Sequence, residues 1–430
     1  MTLLELTDIS HAPPGEHVSA WYLDAPAAGT SLDRTTFELS GWVIGRHSPA
    51  REVRLVEDNV LLRRIPLLVS RPDVVAVHWE APEQSGFWSL VGTVGLERDF
   101  ALIVRAVLED ETRVDLATIR GRRAPIAPST EAPLRPLLLT SLGRTGTTLL
   151  MGLLSAHPAI VADRNYPYEV FPARYWLHML RVLSEPADHT DSSHPGDFSQ
   201  DLLEIGFNPF HTSPVTNEPA LADLLGHRYV ERLARFCRES IDDFYTALAT
   251  LQGKASAEFF VEKFQPDHVP RIARDLYPDT KEVFLVRDFR DLFCSVLAFN
   301  EKRGTLDFGR ERFETDEEYV GWVRLGAERL VNAWKSREAS SHLVRYEDLA
   351  TKPAETIAGL LEYLGLDRSP EAVEGMVQSA FAHPDTDGHR TTLTVEDSVG
   401  RWRRDLPSSL RPVVDEALNG PLSELGYSVG

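Results

Sequence analysis

Cysteine is scarce: Cys237 and Cys294 are the two in 430 residues, which excludes a disulfide framework and a cysteine-built zinc site. Both fall in apolar patterns of helical spacing, so core packing is expected of them. Long hydrophobic runs are also missing, and no stretch approaches the ~20 apolar residues that cross a bilayer. Positive charge is in deficit: 45 Lys and Arg against 65 Asp and Glu leave a net −20. That balance argues against general binding to nucleic acid or to an anionic membrane. The opening Met-Thr-Leu-Leu-Glu-Leu-Thr-Asp has neither the basic start nor the apolar run of a signal peptide. A soluble, reducing, cytoplasmic protein is the expectation, and nothing in the composition sets an oligomeric state.

What is present divides the chain. Residues 1–125 hold short valine-, threonine- and aromatic-rich segments separated by Gly, Pro and Asp. Phe37, Leu39, Gly41 and Val43 alternate with Glu38, Ser40 and Trp42. Several strands at this spacing predict an all-β, sandwich-like accessory domain. Residues 126–135 form a proline-rich linker. Residues 136–430 alternate strand and helix patterns, which predicts an α/β domain with a parallel sheet. Within it, the polar stretch 185–219 is expected to be a loop and a candidate lid. The helical pattern from Val230 to Leu251 is core.

The α/β part opens on its most informative stretch. An apolar strand pattern, Leu137 to Leu139, runs into Gly143-Arg-Thr-Gly-Thr-Thr148 and then into a helical pattern. Strand, glycine turn and helix N-terminus together present converging N–H groups and a favourable dipole to an anion. Gly143 and Gly146 permit a tight turn, and Thr145, Thr147 and Thr148 offer hydroxyls. An NTP loop would read G-x-x-x-x-G-K-[ST], but Ser141 replaces its first glycine and Thr147 its lysine. The cation is instead Arg144, inside the turn, and no apolar strand ending in Asp stands out as a magnesium partner.

Further along, Glu258 to Lys263 reads as a strand ending in lysine. Glu282-Val-Phe-Leu-Val-Arg287 is another strand, ending in arginine, with Ser295 early in the following helix. Ligand groups gather at the carboxyl ends of parallel strands, so Arg287 and Ser295 can meet one anion. Arg345-Tyr-Glu-Asp-Leu349 follows a third strand. Ser398-Val-Gly-Arg-Trp-Arg-Arg404 gathers arginines in an otherwise acidic protein.

These motifs, in this order, resemble the sulfotransferases that use 3′-phosphoadenosine 5′-phosphosulfate (PAPS), in a bacterial branch with a P-loop-like fold. Gly143 to Thr148 matches the family's [PG]-[KR]-[ST]-G-T-T loop for the 5′-phosphosulfate. Arg287 to Ser295 is similar to its 3′-phosphate signature R-D-P-R-D-x-x-x-S, with Phe289 in place of the proline. The resemblance implies that Ser398, Gly400 and Arg401 close over the 3′-phosphate, and that Glu347 braces the phosphate loop. It implies catalytic roles for Lys263 and Arg144, and PAPS as co-substrate with no metal. The histidine base of the cytosolic branch would stand at Gln265 and is absent. Glu169 is therefore the expected base, provided partial burial raises its pKa, with His178 and His211 in reserve. The acceptor, a hydroxyl or amine of a small molecule or glycan, is not specified. A P-loop kinase and a non-catalytic carbohydrate-binding protein are the alternatives. The missing lysine speaks against the first, and the two anion motifs against the second.

Overall fold

The computed structural model describes residues 2–13, 15–126, 131–185, 227–381 and 391–429. His211 and all of the polar 185–219 stretch except Glu185 lie outside them. The chain packs as two compact units: residues 1–129 with 176–239, and residues 130–175 with 240–430.

The first unit is built on antiparallel strands. They are β1 (Leu4–His11), β2 (Val18–Ala25), β3 (Thr30–Leu32), β4 (Thr36–Gly45), β5 (Ala50–Glu57), β6 (Val60–Pro66), β7 (Val69–Ser70), β8 (Gln84–Gly92), β9 (Asp99–Leu108) and β10 (Arg113–Arg123), with the short helix α1 (Pro72–Val77) before β8. One sheet has the order β3-β1-β10-β9-β5-β6 and the other β2-β4-β8-β7. On β4, Phe37, Leu39, Gly41 and Val43 are buried, while Glu38 is exposed and Ser40 and Trp42 are half-buried. This is the period-2 pattern of a strand with one face in the core. Phe37, Leu39 and Val43 join Leu55, Phe87, Leu102, Val104 and Ile119 in a single apolar cluster.

The second unit carries a five-stranded sheet of order β12-β13-β11-β14-β15, parallel throughout. The chain runs β11 (Arg135–Ser141), α2 (Thr147–Ala156), β12 (Ile160–Val161) and α3 (Pro172–Ser184). It continues with α4 (His227–Leu251), β13 (Phe259–Phe264), α5 (Val269–Leu276), β14 (Lys281–Val286), α6 (Phe289–Arg303) and α7 (Asp316–Arg337). β15 (His342–Arg345), α8 (Tyr346–Thr351), α9 (Pro353–Leu364), α10 (Pro370–Phe381), α11 (Trp402–Asp405) and α12 (Arg411–Glu424) follow; residues 176–184 of α3 and 227–239 of α4 fall in the first unit. Alternate residues of β14 feed two cores. Val283 and Leu285 pack with α2 and α9, and Phe284 and Val286 with α6, α7 and α12.

β11 lies between β13 and β14, so the crossovers leave it in opposite directions. A crevice opens at such a switch point, beyond the strands' carboxyl ends. The expected α/β and β-sandwich classes are what the chain adopts. Cys237 and Cys294 are both buried free thiols, and burial pushes each up to about 12. Among the described residues no helix is long and apolar enough to cross a membrane.

Candidate active site

The turn after β11 is closed from within. Ser141 Oγ donates to Leu285 O at 2.6 Å, and Thr145 Oγ1 donates to Leu142 O at 2.8 Å and also bonds Ser141 Oγ. Thr145 is thus buried, and its hydroxyl shapes the turn instead of facing a ligand. Arg144 (φ +64°) and Gly146 (φ +93°) are both left-handed. A Cβ at Gly146 would lie 2.3 Å from the Tyr346 ring, and one at Gly143 would lie 2.7 Å from the Phe308 ring. Packing therefore calls for glycine at both positions, and the backbone angle calls for it at Gly146 as well. Gly143, Arg144, Gly146, Thr147 and Thr148 line one cavity of about 770 Å³ with Glu169, Lys263, Arg287, Ser295 and Ser398. That size lies within the range of small-ligand sites. The first amides of α2 have no partner within their own helix.

The second anion element is cross-tied. Arg287 is 3% exposed; its Nη1 donates to Arg144 O at 2.9 Å and its Nη2 to Ser398 O at 2.8 Å. Its guanidinium lies 4.5 Å over the Tyr346 ring. Its Nε is buried with no hydrogen-bond partner among the described residues. Ser295 Oγ accepts from Arg144 Nε at 3.4 Å, and the Arg144 guanidinium stacks on Phe299 at 4.4 Å. Burial first, and then the positive charges of Arg287 and Arg401, pull Arg144 down to about 10. Buried like charges beside an unsatisfied N–H fit a ligand carrying more than one anionic group.

Gly400 and Arg401 do not line the cavity. The Gly400 N–H donates to Asp291 Oδ2 at 2.6 Å and the Trp402 N–H to Asp291 Oδ1 at 2.9 Å. Arg401 engages Asp405 at 2.7 Å and Thr391 at 2.7 Å. Burial pushes the Asp291 carboxyl up to about 6, against the pull of those two N–H donors. Glu347 braces the second loop, not the first: its Oε1 accepts from Asp288 N and its Oε2 from Tyr427 Oη, both at 2.8 Å. It reaches this far because β15 pairs with β14, while β11 lies beyond β14.

At the opposite side, Lys263 Nζ donates to Pro167 O at 2.6 Å, to Thr148 Oγ1 at 3.2 Å and to Glu169 Oε1 at 3.2 Å. Burial pulls this lysine down, while Glu169 pulls it back up. The Glu169 side chain is 53% exposed, so the burial expected of a carboxylate base is not present. His178 belongs to the other compact unit and is not among the lining residues. Gln265 does line the cavity.

Sequence reasoning missed Tyr346, whose ring packs on Gly146 and Arg287 and whose hydroxyl bonds Ser398 Oγ at 2.7 Å. It also missed Asp291 and Glu262. A lone carboxylate inside the apolar β13 was the available signal for Glu262.

A parallel sheet with a glycine turn at its switch point, and basic residues on the neighbouring strand ends, defines a P-loop-like α/β protein. A model of the sulfotransferase family matches residues 136–370, more than half of the chain. The chain belongs to that family. Mouse (Mus musculus) carbohydrate sulfotransferase 3 is 24% identical over 176 residues, which are 38% of this chain and 37% of that protein. The chain thus spans little more than a third of that relative's length. Among solved structures, the sulfotransferase domain from the curacin biosynthetic pathway matches at 15% identity, covering 70% of this chain and 100% of its own, with a TM-score of 0.40. Mouse sulfotransferase SULT7A1, solved complexed with PAP, matches at 10% identity over 68% of this chain and 89% of its own, with a TM-score of 0.36.

Proposed function

We propose that this sulfotransferase takes its sulfuryl group from PAPS and passes it to a hydroxyl of a small-molecule or glycan acceptor, releasing adenosine 3′,5′-bisphosphate. PAPS supplies an activated sulfuryl group whose bond to the 5′-phosphate breaks as the acceptor oxygen attacks sulfur. One observation carries the reading: a single cavity gathers the glycine turn, the buried Arg287 with its unpartnered Nε, and the Lys263–Glu169 pair.

In this reading the α2 N-terminus and Thr147 and Thr148 hold the 5′ end, and Arg287 and Ser295 hold the 3′-phosphate. Arg144 and Lys263 offset the negative charge that grows on the departing phosphate oxygen. Glu169 takes the acceptor proton on Oε2, which has no partner among the described residues, while Oε1 stays on Lys263. Positioning and charge supply most of the acceleration, as in phosphoryl transfer. Arginine and lysine provide the cations, so no role is assigned to a metal. Gly400 and Arg401 hold the loop around Ser398. Residues 1–125 are proposed as an accessory domain without chemistry of its own.

Thermal denaturation with adenosine 3′,5′-bisphosphate, PAPS or ATP–Mg²⁺ tests the donor. A ligand at about 100 times its Kd adds about 2.7 kcal/mol of stability. The first two ligands are expected to raise Tm and the third to leave it unchanged. Stabilisation by ATP–Mg²⁺ alone would overturn the reading in favour of a kinase. Mass spectrometry of phenols, glycans and hydroxylated metabolites incubated with enzyme and PAPS identifies the acceptor.

A further inference from the structure

Glu262 is a carboxylate in the middle of a buried strand. Every residue of Phe259-Phe-Val-Glu-Lys-Phe264 is buried, and Glu262 itself is 4% exposed. Its partners are donors from elsewhere in the same unit. Oε1 accepts from the Ala173 N–H at 2.5 Å and from the Tyr245 hydroxyl, and Oε2 accepts from the Arg174 N–H at 3.1 Å. Those amides open α3. Its first residue, Pro172, has no N–H, and Phe171 before it has no side chain able to cap. The cap is delivered across the fold by a strand residue.

The neighbouring residue grips the other end of the same segment, because Lys263 Nζ holds Pro167 O and Glu169. Between the two grips, Tyr168 (φ +67°) and Phe171 (φ +30°) are left-handed without being glycine. Such residues persist where their surroundings hold them. Glu169, Phe171 and Arg174 of this held segment line the cavity.

We propose that Glu262 is a positioning residue for sulfuryl transfer, fixing segment 167–174 so that Glu169 meets Lys263 at the reacting end of the cavity. The inference rests on the reading that Glu169 and Lys263 face the reacting atoms. Tyr245, stacked on Phe260 at 4.1 Å, completes the grip from α4. Burial pushes the Glu262 carboxyl up to about 7, and the Tyr245, Ala173 and Arg174 donors pull it back.

The test uses the full chain and two substitutions, Glu262→Gln and Tyr245→Phe. A hydrogen bond to a charged group corresponds to roughly a 10- to 150-fold effect. Glu262→Gln is expected to lower kcat about 10- to 100-fold and to deprotect the amides of 173 and 174 in hydrogen exchange. The Kd for adenosine 3′,5′-bisphosphate, read by calorimetry, should stay within about twofold. Tyr245→Phe leaves both amides capped and should lower kcat about threefold. Parallel losses of kcat and nucleotide affinity would mean that Glu262 only holds the fold, and would overturn the proposal. So would parental kcat in both variants. Should Glu262→Gln fail to fold, parental kcat in Tyr245→Phe alone overturns it. If the parent binds no adenosine 3′,5′-bisphosphate, the donor reading fails, while amide protection at 173 and 174 still reports the grip.

Discussion

The two ends of the cavity are built differently. At the end proposed for transfer, Glu169 is half-exposed and Lys263 is shared among a carbonyl, a hydroxyl and a carboxylate. At the end proposed to anchor the donor, Arg287, Ser295 and Ser398 are each 5% exposed or less, and Arg287 is tied to two backbone carbonyls. The anchor end is held by side-chain ties to backbone carbonyls, and the transfer end by side-chain contacts that include an exposed carboxylate. Rigid recognition and exchangeable chemistry suit an enzyme that holds one donor firmly and must admit a second substrate beside it.

The largest expected effect lies at the transfer end. Glu169→Gln should lower kcat about 10²–10⁴-fold with little change in PAPS affinity, as removal of a general base does. Steady-state kinetics beside calorimetry checks this, and near-parental turnover would move the base elsewhere.

Next comes a difference in titration. The Asp291 carboxyl at the anchor end lies at about 6, above its ordinary value of 3.8. A raised carboxyl contributes stability that is fully present below the ordinary value and is lost as pH rises through the raised one. The stability of the parent relative to Asp291→Asn should therefore fall by up to about 3 kcal/mol between about pH 4 and pH 7. Denaturant melts across that range measure it; a flat difference would show that the N–H donors of Gly400 and Trp402 fully offset burial.

Arg287→Ala ranks third. It removes a proposed ligand for the 3′-phosphate and also the ties to Arg144 O and Ser398 O. Adenosine 3′,5′-bisphosphate should weaken about 10- to 150-fold. AMP, which lacks the 3′-phosphate, should lose a smaller but measurable amount because the first loop loosens. An unchanged AMP affinity would separate the loops and break the picture of a cross-tied anchor.

The smallest effect is expected from Tyr346→Phe, which keeps the ring on Gly146 and Arg287 but removes the hydroxyl from Ser398. One neutral hydrogen bond contributes about 0.5–1.5 kcal/mol, so nucleotide affinity should fall about 2- to 12-fold with kcat preserved. A larger fall in kcat than in affinity would place Tyr346 at the transfer end instead.

The local placement of these residues was legible in the sequence. The glycine turn, Lys263 and Arg287 each sit where a strand pattern stops, and the parallel sheet brings those ends together. What could not be read depends on contacts far apart in the chain. Asp291 meets Gly400 across 109 residues, and Glu347 meets Asp288 across 59. No spacing rule reveals that Gly400 and Arg401 act on a carboxylate, or that Glu347 reaches the second loop. Thr145 was misjudged for a closer reason. The left-handed Arg144 and Gly146 rotate the turn so that one hydroxyl of the Thr-Gly-Thr-Thr run points inward. The β-sandwich and the sheet were legible from periodicity. The inclusion of residues 176–239 in the first compact unit was not, because helical patterns carry no record of which neighbour they pack on.

The tie between the loops joins the Arg287 guanidinium to the carbonyl of residue 144, not to its side chain. A backbone oxygen is the same whatever amino acid carries it. Lysine at 144 would keep that tie, while giving up the guanidinium's stack on Phe299 and its hydrogen bond to Ser295 Oγ. The link between the two loops thus depends on the course of the backbone at 144, and the charge carried there can change without loss of that link.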